Sequence, residues 1–405
     1  MKFYRSLVEA VIEALTDIFQ QDKYADKIIE KCLRSNPKWG SRDRAFIAET
    51  TYECVRWIRQ LAAIIGRETD DFKTFSKGDF FHIVGAYWVL KLEQNVDFQE
   101  FTHINYHTLK NKQQTLSDRK IIQSIPNWLD EQGISELGEA LWNAELTALN
   151  RPADIVLRCN SLKTTLLHIQ KKLNDSGFDC ETIPLSNSAL KLKKRANIFA
   201  SDLFKQGFFE VQDAGSQTIA PFLNVEPRMR VIDACAGAGG KSLHLATLME
   251  NKGQIIAMDT EAWKLEELKK RARRNGIHII ETRQIDSTKV IKRLHNSADR
   301  LLLDVPCSGI GVLRRNPDAK WKLKPEFLHN IHATQQNILS DYAKMLKIGG
   351  QLVYATCSIF PSENTEQVAH FIKNNPHFKT LDEQTISPAT HGFDGFYMAR
   401  LEKLF

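Results

Sequence analysis

The chain has 405 residues, of which 42% are hydrophobic and 26% are charged, and it carries a net charge of +6 at pH 7. This length is too great for one ordinary hydrophobic core and predicts two or three domains, while the lack of a long apolar run excludes a membrane-spanning helix. The seven cysteines are scattered and never in C-x-x-C spacing. We therefore expect no disulfide framework, no metal site and no membrane partner, and a reducing, cytoplasmic location.

Residues 1–145 show the apolar periodicity of an all-helical domain. Apolar residues recur at helical spacing from Leu7 to Phe19, and a further helix is expected from Ser41 to a stop near Gly66. These helices carry no pattern that indicates chemistry. We predict a small helical bundle.

A second region, residues 146–225, begins where the composition changes at Arg151 and Pro152. The expected elements are strands near 155–160, 180–183 and 189–193 and a helix over 164–175. This order predicts a small α+β subdomain. The basic run Lys191–Arg195 is consistent with an RNA-contacting surface and equally with a purely structural linker domain.

Strands and helices alternate in residues 226–405, as in a doubly wound α/β domain. The expected strands are Val231–Ala234, Ile255–Met258, His278–Thr282, Leu301–Asp304 and Gln351–Ala355, and the expected helices are Ser242–Met249, Glu261–Asn275, Pro325–Leu346 and one from Ser362. Such folds bind ligands at the carboxyl ends of their strands. The residues that follow each strand are therefore the candidates for function.

A glycine-rich turn follows the first of these strands, with the sequence Cys235-Ala236-Gly237-Ala238-Gly239-Gly240-Lys241. Small residues let a ligand approach the backbone, and the helix that follows offers free N–H groups. A P-loop is disfavoured because Cys235 stands where that motif needs glycine, and the dinucleotide fingerprint fails at Ser242. An adenosyl cofactor remains as the third possibility.

Acidic residues at successive strand ends support the adenosyl cofactor. Asp259 ends the second strand, where an acid binds ribose hydroxyls in related sites, and Asp286 follows the third strand, toward the adenine. Asp304 ends the fourth strand. Together these residues indicate S-adenosylmethionine.

Two cysteines follow neighbouring strands, Cys307 within Asp304–Gly309 and Cys357 within Tyr354–Ser358. A lone cysteine at such a place is as consistent with a small buried side chain as with chemistry. The pair points to cytosine, because carbon 5 of that base becomes nucleophilic enough to accept a methyl group once a thiolate adds at carbon 6. A carboxyl group beside the ring nitrogen helps this step, a role suited to Asp304.

From about Gln212 to the C terminus the chain resembles the RNA cytosine-5 methyltransferase family named for Nol1, Nop2 and Sun. The matching segments are Gln212–Gln217, Asp233–Ser242, Asp304–Gly309, Arg315–Trp321, Ala355–Ser358 and Gly395–Ala399. The helical N-terminal region, especially Tyr52–Gly66, is similar to the NusB-like domain of this family's bacterial small-subunit rRNA enzyme. Arg151–Lys163 is similar to the start of the family's small RRM-like domain.

The resemblance implies a Rossmann-like enzyme that methylates carbon 5 of a cytosine in rRNA or, alternatively, tRNA. We expect the enzyme to be a monomer. It implies that Cys357 is the nucleophile, that Cys307 assists product release, and that Asp304 lies near the base. It assigns cofactor binding to the turn Cys235–Lys241 with Asp259, Asp286 and Asp304. A non-catalytic RNA-binding or ribosome-assembly protein on the same fold is the other alternative.

The glycine-rich turn departs from the family pattern at one place. The family's turn reads Ala-Ala-Pro-Gly-Gly-Lys, whereas Gly237 and Ala238 here replace the second alanine and the proline. Without proline the turn is expected to be more flexible. The departure bears on cofactor affinity more than on the type of reaction.

A basic cluster follows the Cys307 turn. It contains Arg314, Arg315 and Lys320, with little acidic charge nearby except Asp318. Clustered cations are typical of surfaces that bind a phosphate backbone. We expect these three side chains to be exposed and to contact RNA.

Overall fold

The computed structural model describes residues 4–93, 98–102 and 104–405. The chain forms two units, Met1–Asn150 with Leu313–Pro325, and Arg151–Val312 with Glu326–Phe405. The two units do not follow the order of the chain, because a short segment near residue 320 belongs to the first unit. Within the described residues, no helix has both the length and the apolar character needed to cross a bilayer.

The first unit is helical, as its apolar periodicity predicts. Its helices are α1 (Arg5–Gln20), α2 (Ala25–Ser35), α3 (Ser41–Ile64), α4 (Lys77–Lys91), α5 (Tyr106–Thr115), α6 (Arg119–Ile122), α7 (Asn127–Leu137) and α8 (Glu139–Leu149). Side chains three and four residues apart on α1, such as Val8, Val11 and Leu15, share a core with Val55 and Ile58 of α3. One apolar stripe per helix is what such a bundle buries.

The second unit begins with a small antiparallel sheet. Its elements are β1 (Val156–Cys159), α9 (Leu166–Asp175), β2 (Cys180–Thr182), β3 (Ala189–Leu192), α10 (Asp202–Lys205) and β4 (Phe209–Val211). The strand order is β2-β3-β1-β4. Ile169 and Leu173 of α9 pack with Leu157, Leu190 and Phe209 of the sheet. The predicted α+β arrangement is present, and β4 is an additional strand.

A seven-stranded sheet forms the rest of the second unit. Its strands are β5 (Arg230–Asp233), β6 (Gln254–Asp259), β7 (Ile280–Gln284), β8 (Ala298–Asp304), β9 (Leu346–Thr356), β10 (Phe378–Ile386) and β11 (Phe396–Lys403), in the order β10-β11-β9-β8-β5-β6-β7. Strands β5 to β9 pair in parallel, and β11 pairs antiparallel with β9 and β10. The predicted Rossmann-like α/β domain is confirmed.

Helices connect these strands. They are α11 (Ala214–Phe222), α12 (Gly240–Leu248), α13 (Ala262–Asn275), α14 (Thr288–Lys292), α15 (Ala319–Lys322, in the first unit), α16 (Pro325–Tyr342), α17 (Thr365–Asn374) and α18 (Pro388–His391). The strand order reverses direction at β5, from which the chain proceeds first to β6 and later to β8. Ligands of open α/β sheets bind beside such a reversal, at the carboxyl ends of the strands.

Candidate active site

The two cysteines expected at neighbouring strand ends lie in contact. Asp304 at the end of β8 is in register with Ala355 of β9, so the turns that follow the two strands start side by side. Cys307 Sγ lies 3.1 Å from Cys357 Sγ, and the Cys357 backbone N–H donates to Cys307 Sγ at 3.3 Å. Both side chains are partly exposed. The two sulfurs can therefore interact directly with each other.

The environment of Cys307 favours its protonated form. The hydrogen bond with Cys357 and the burial of the thiol raise the pKa of Cys307 well above its ordinary value. At neutral pH Cys307 is therefore a thiol that can donate a hydrogen bond. A protonated thiol is a poor nucleophile.

The turn that carries Cys357 is held by a close backbone crossing. The Gly311 N–H donates to the Cys357 carbonyl oxygen at 3.0 Å, and the Gly395 N–H donates to the Gly311 carbonyl oxygen at 2.7 Å. A Cβ atom at Gly311 would lie 2.8 Å from the Cys357 carbonyl oxygen. Glycine is therefore needed for this approach, which fixes the backbone of Cys357.

Asp304 forms an ion pair with the lysine that ends the glycine-rich turn. Lys241 Nζ lies 2.5 Å from Asp304 Oδ2. Burial alone would lower the pKa of Lys241, but the Asp304 carboxylate outweighs burial and raises the pKa above its ordinary value. The ion pair joins the end of β8 to the start of α12, so it connects the cysteine turns with the glycine-rich turn.

Asp259 holds the glycine-rich turn at the end of β6. Its Oδ2 accepts a hydrogen bond from the Gly237 N–H at 2.9 Å, and its Oδ1 accepts one from the Glu261 N–H at 2.9 Å. Each carboxylate oxygen keeps a further lone pair with which a ribose hydroxyl can bond. Gly237 has a φ of +54°, and a Cβ atom there would meet no heavy atom within 4 Å. The turn thus leaves open space beside Asp259.

These residues fit an adenosyl cofactor. The open face at Gly237, the remaining lone pairs of Asp259 and the exposed carboxylate of Asp286 lie along the carboxyl edge of the sheet. A ribose would be held by Asp259 and the adenine would lie toward Asp286. Sequence reasoning assigned the cofactor to these positions, and the assignment stays a prediction.

Two arginines that sequence reasoning did not single out restrain the turn that lacks proline. Arg271 donates to the Ala238 carbonyl oxygen at 2.8 Å and to Glu210 at 2.9 Å. Arg158 of β1 donates to the Gly240 carbonyl oxygen at 2.6 Å. Side chains from α13 and the small sheet therefore limit the flexibility expected from Gly237 and Ala238. No local pattern in the sequence identifies such distant partners.

Asp233, which ends β5, gives the second unit a pH-dependent stability. Burial raises the pKa of Asp233 to about 7, above the ordinary value of about 4. The folded chain therefore holds this proton more tightly than the unfolded chain does.

As the pH rises from 5 to 8, the contribution of Asp233 to the free energy of unfolding should fall by about 2–3 kcal/mol. Asp233→Asn should lack this fall. Urea unfolding of both proteins at the two pH values measures it, and an identical pH dependence would contradict it.

The expected exposure of the basic cluster is wrong for two of its three residues. Arg314 is 6% exposed and Lys320 is 2% exposed. Lys320 Nζ donates to the Arg56 carbonyl oxygen at 2.9 Å and to Asn150 Oδ1 at 3.2 Å, and burial lowers its pKa well below the ordinary value. Arg315 is half-buried. Arg314 and Lys320 are therefore buried within the first unit, and the RNA contact expected of Arg315 stays a prediction.

A buried glutamate near the two cysteines was also not recognised as functional. The helix expected from Ser362 would place Glu363 in its first turn, where an acid is usually exposed. It lies instead in a 3-10 turn, Pro361–Glu363, before α17, and it is fully buried. Its carboxylate bonds to Ser308 and to Ser358. The serine that follows each cysteine was the only signal available in the sequence.

Comparison with known families covers most of the chain. The family described as 16S rRNA methyltransferase RsmB/F matches residues 220–402, and the ferredoxin-like domain of RsmF/B-like methyltransferases matches residues 125–199. The protein named "Probable ribosomal RNA small subunit methyltransferase B" from Synechocystis sp. is 30% identical over 435 aligned residues, which cover 96% of this chain and 97% of the relative.

Solved structures show the same fold. PH0851 superimposes with a TM-score of 0.83 at 23% identity, and the match covers 100% of both chains. A methyltransferase homologue protein from Pyrococcus horikoshii has a TM-score of 0.63 at 26% identity, covering 71% of this chain and 100% of that chain. The first similarity concerns the fold alone, and the second extends to a chain described as a methyltransferase homologue.

Proposed function

The chain belongs to the 16S rRNA methyltransferase RsmB/F family of S-adenosylmethionine-dependent RNA cytosine-5 methyltransferases, and we propose that it works through a covalent bond between Cys357 and its target cytosine. The observation that carries this proposal is the contact between Cys357 and Cys307 at 3.1 Å, at two strand ends beside the glycine-rich turn. A single cysteine would suffice for attack. A second sulfur in contact with the first suits a reaction in which the attacking sulfur must also leave.

Cys357 acts first. Its thiolate forms a bond to carbon 6 of the cytosine, and the electron pair of the 5,6 double bond makes carbon 5 a nucleophile. Asp304 is paired with Lys241 and lies at the end of the neighbouring strand. There its carboxyl group can form a hydrogen bond at the ring nitrogen of the cytosine. S-adenosylmethionine supplies the methyl group when it is bound. The target cytosine must be unstacked to reach these groups.

Cys307 acts in the second half of the reaction. A base accepts the proton of carbon 5, and the electron pair of that C–H bond restores the 5,6 double bond and expels the Cys357 sulfur from carbon 6. The departing sulfur carries a negative charge, and the protonated Cys307 beside it donates a hydrogen bond that stabilises that charge. The hydrogen bond with Cys357 and burial raise the pKa of Cys307, which favours the thiol form that this role needs.

The turn Cys235–Lys241, Asp259 and Asp286 would hold the cofactor. Asp259→Ala would lose both the contact to ribose and the anchor of the Gly237 N–H, so it should weaken S-adenosylmethionine binding about 10- to 100-fold. Isothermal titration measures the dissociation constant directly. Glu261→Gln, at an exposed position two residues away, is the matched control and should bind as the parent does. Equal affinity of Asp259→Ala and the parent would remove Asp259 from the site.

We further propose that the substrate is the small-subunit rRNA and that the protein acts as a metal-free monomer in the cytoplasm, where ribosomes are assembled. The family match over residues 220–402 supports the rRNA substrate. Transfer of labelled methyl groups to 16S rRNA and to bulk tRNA, each prepared without modifications, tests the substrate. We expect label in 5-methylcytosine of the rRNA. Label confined to tRNA would contradict the substrate, and label at another atom would contradict the reaction.

A further inference from the structure

Glu363 lies beneath the two cysteine turns and bonds to both. Its carboxylate accepts hydrogen bonds from the Ser308 N–H at 2.7 Å, the Ser308 hydroxyl at 2.5 Å and the Ser358 hydroxyl at 2.5 Å. Gln335 of α16 donates to the same carboxylate at 3.2 Å and to the Pro306 carbonyl oxygen at 3.0 Å. Glu363 is 0% exposed. A carboxylate this deeply buried requires such donors to remain in place.

The bonding partners of Glu363 follow the two cysteines directly in the chain. Ser308 follows Cys307, and Ser358 follows Cys357. The Glu363 side chain therefore ties together two turns that are 50 residues apart in the sequence. The Glu363 carbonyl oxygen also accepts a hydrogen bond from the Tyr354 hydroxyl at 2.7 Å, which fixes the glutamate to β9. One rigid group thus determines where both turns lie.

We propose that Glu363 is a positioning residue that sets the contact between the Cys307 and Cys357 sulfurs through Ser308 and Ser358. The importance of this positioning for catalysis rests on the proposed function. The geometric part stands without it, because the contact between the sulfurs can be measured in the absence of RNA and cofactor.

The Glu363 carboxylate also affects the reactivity of the Cys307 thiol. In an assay of thiol oxidation, loss of this effect and loss of positioning change the rate in opposite directions. Besides the hydrogen bond to Cys357 and burial, electrostatic interactions with Cys357 and with the Glu363 carboxylate raise the pKa of Cys307. Removing the charge alone would increase the thiolate fraction of Cys307 and speed its oxidation. Losing the position of the turns would slow the joining of the two sulfurs. The direction of the change therefore identifies which role dominates.

Two substitutions separate charge from position. In Glu363→Gln, the amide oxygen can accept from the Ser308 N–H and Gln335, and the amide N–H groups can donate to the two serine hydroxyls. This variant keeps the bonds and loses the charge. Glu363→Ala loses both. Glu366→Gln makes the matched change at an exposed position on α17.

The test is oxidation of the free protein by an azodicarboxamide such as diamide. The azo group takes up two thiol protons and two electrons to become a hydrazine, and the Cys307 and Cys357 sulfurs form a disulfide after moving about 1 Å closer. Trypsin would release Cys307 in residues 301–314 and Cys357 in residues 348–373. Mass spectrometry of the linked pair gives the rate.

We expect Glu363→Ala to form this disulfide about 10- to 100-fold more slowly than the parent, Glu363→Gln to form it at the parent's rate or faster, and Glu366→Gln to match the parent. Folded Glu363→Ala that oxidises as fast as the parent would overturn the proposal. If Glu363→Ala does not fold, Ser308→Ala with Ser358→Ala carries the same expectation and the same contrary outcome.

Methylation assays then connect the position of the sulfurs with catalysis. In Glu363→Ala, kcat should fall about 100-fold while KM for S-adenosylmethionine is unchanged, because Glu363 contacts neither the glycine-rich turn nor Asp259. Slow disulfide formation with unchanged kcat would separate the claim that Glu363 positions the sulfurs from the claim that this position is needed for catalysis. It would leave Glu363 as the residue that positions the sulfurs and would remove the sulfur contact from the proposed mechanism.

Discussion

Replacing Cys357 by alanine is expected to abolish methyl transfer, with kcat at least about 10⁴-fold below that of the parent. Without the sulfur no bond forms to carbon 6, and carbon 5 of cytosine stays too weakly nucleophilic to accept a methyl group. The buried strand ends and the Gly311 crossing do not depend on the thiol, so the fold should survive. Transfer of labelled methyl groups to unmodified 16S rRNA, under single-turnover conditions, measures the rate.

Cys32→Ala is the matched control for this variant. Cys32 is also partly exposed but lies in α2 of the first unit, so its removal should leave the rate unchanged. S-adenosylmethionine binding by Cys357→Ala should also equal that of the parent, which shows that the cofactor site is intact. A Cys357→Ala protein that retains more than about a hundredth of the parent's rate would exclude covalent attack by Cys357 as an obligatory step.

Replacing Cys307 by alanine is expected to trap the enzyme on its RNA. Attack by Cys357 and methyl transfer to carbon 5 do not need the second sulfur, so both should proceed. Release should slow by about 10²- to 10⁴-fold, the usual contribution of a positioned acid or base, because the departing sulfur loses its hydrogen-bond donor. A protein–RNA complex that resists denaturation should accumulate and be visible on a denaturing gel.

The double variant is the control for the trapped complex. Cys307→Ala combined with Cys357→Ala should give no complex, since the linkage requires the Cys357 sulfur. A complex that persists in the double variant would mean that another residue forms the bond. A complex that forms in Cys357→Ala, and not in Cys307→Ala, would reverse the roles of the two cysteines.

The parallel part of the fold was predictable because its signals are local. Each buried parallel strand is a short apolar run, and an aspartate ends three of them, at Asp233, Asp259 and Asp304. Parallel strands align their carboxyl ends, so residues far apart in sequence could be assigned to one edge. That geometry places the turns that carry Cys307 and Cys357 side by side.

Strands β10 and β11, which pair antiparallel in the seven-stranded sheet, were not predicted. β10 has the sequence Phe378–Ile386, whose interior is exposed and polar. It is defined by pairing with β11, and β11 by pairing with β9. Antiparallel strands at a sheet edge depend on long-range partners more than on local composition.

The basic cluster and Glu363 show that the exposure of a charged side chain cannot be predicted from the sequence alone. A charged residue is usually exposed, and that expectation failed for Lys320 and for Glu363 alike. Each is buried because distant groups supply hydrogen bonds, Arg56 and Asn150 for Lys320, and Ser308 for Glu363. Sequence spacing contains no information about partners of this kind.

The central claim is that Cys357 and not Cys307 bonds to the cytosine, and mapping the bond tests it most directly. RNA with fluorine at carbon 5 of the target cytosine should trap the methylated adduct, because no proton is present there to be removed. After digestion with trypsin and nuclease, mass spectrometry should find the methylated nucleotide on residues 348–373, which contain Cys357. A nucleotide on residues 301–314, which contain Cys307, would contradict the assignment.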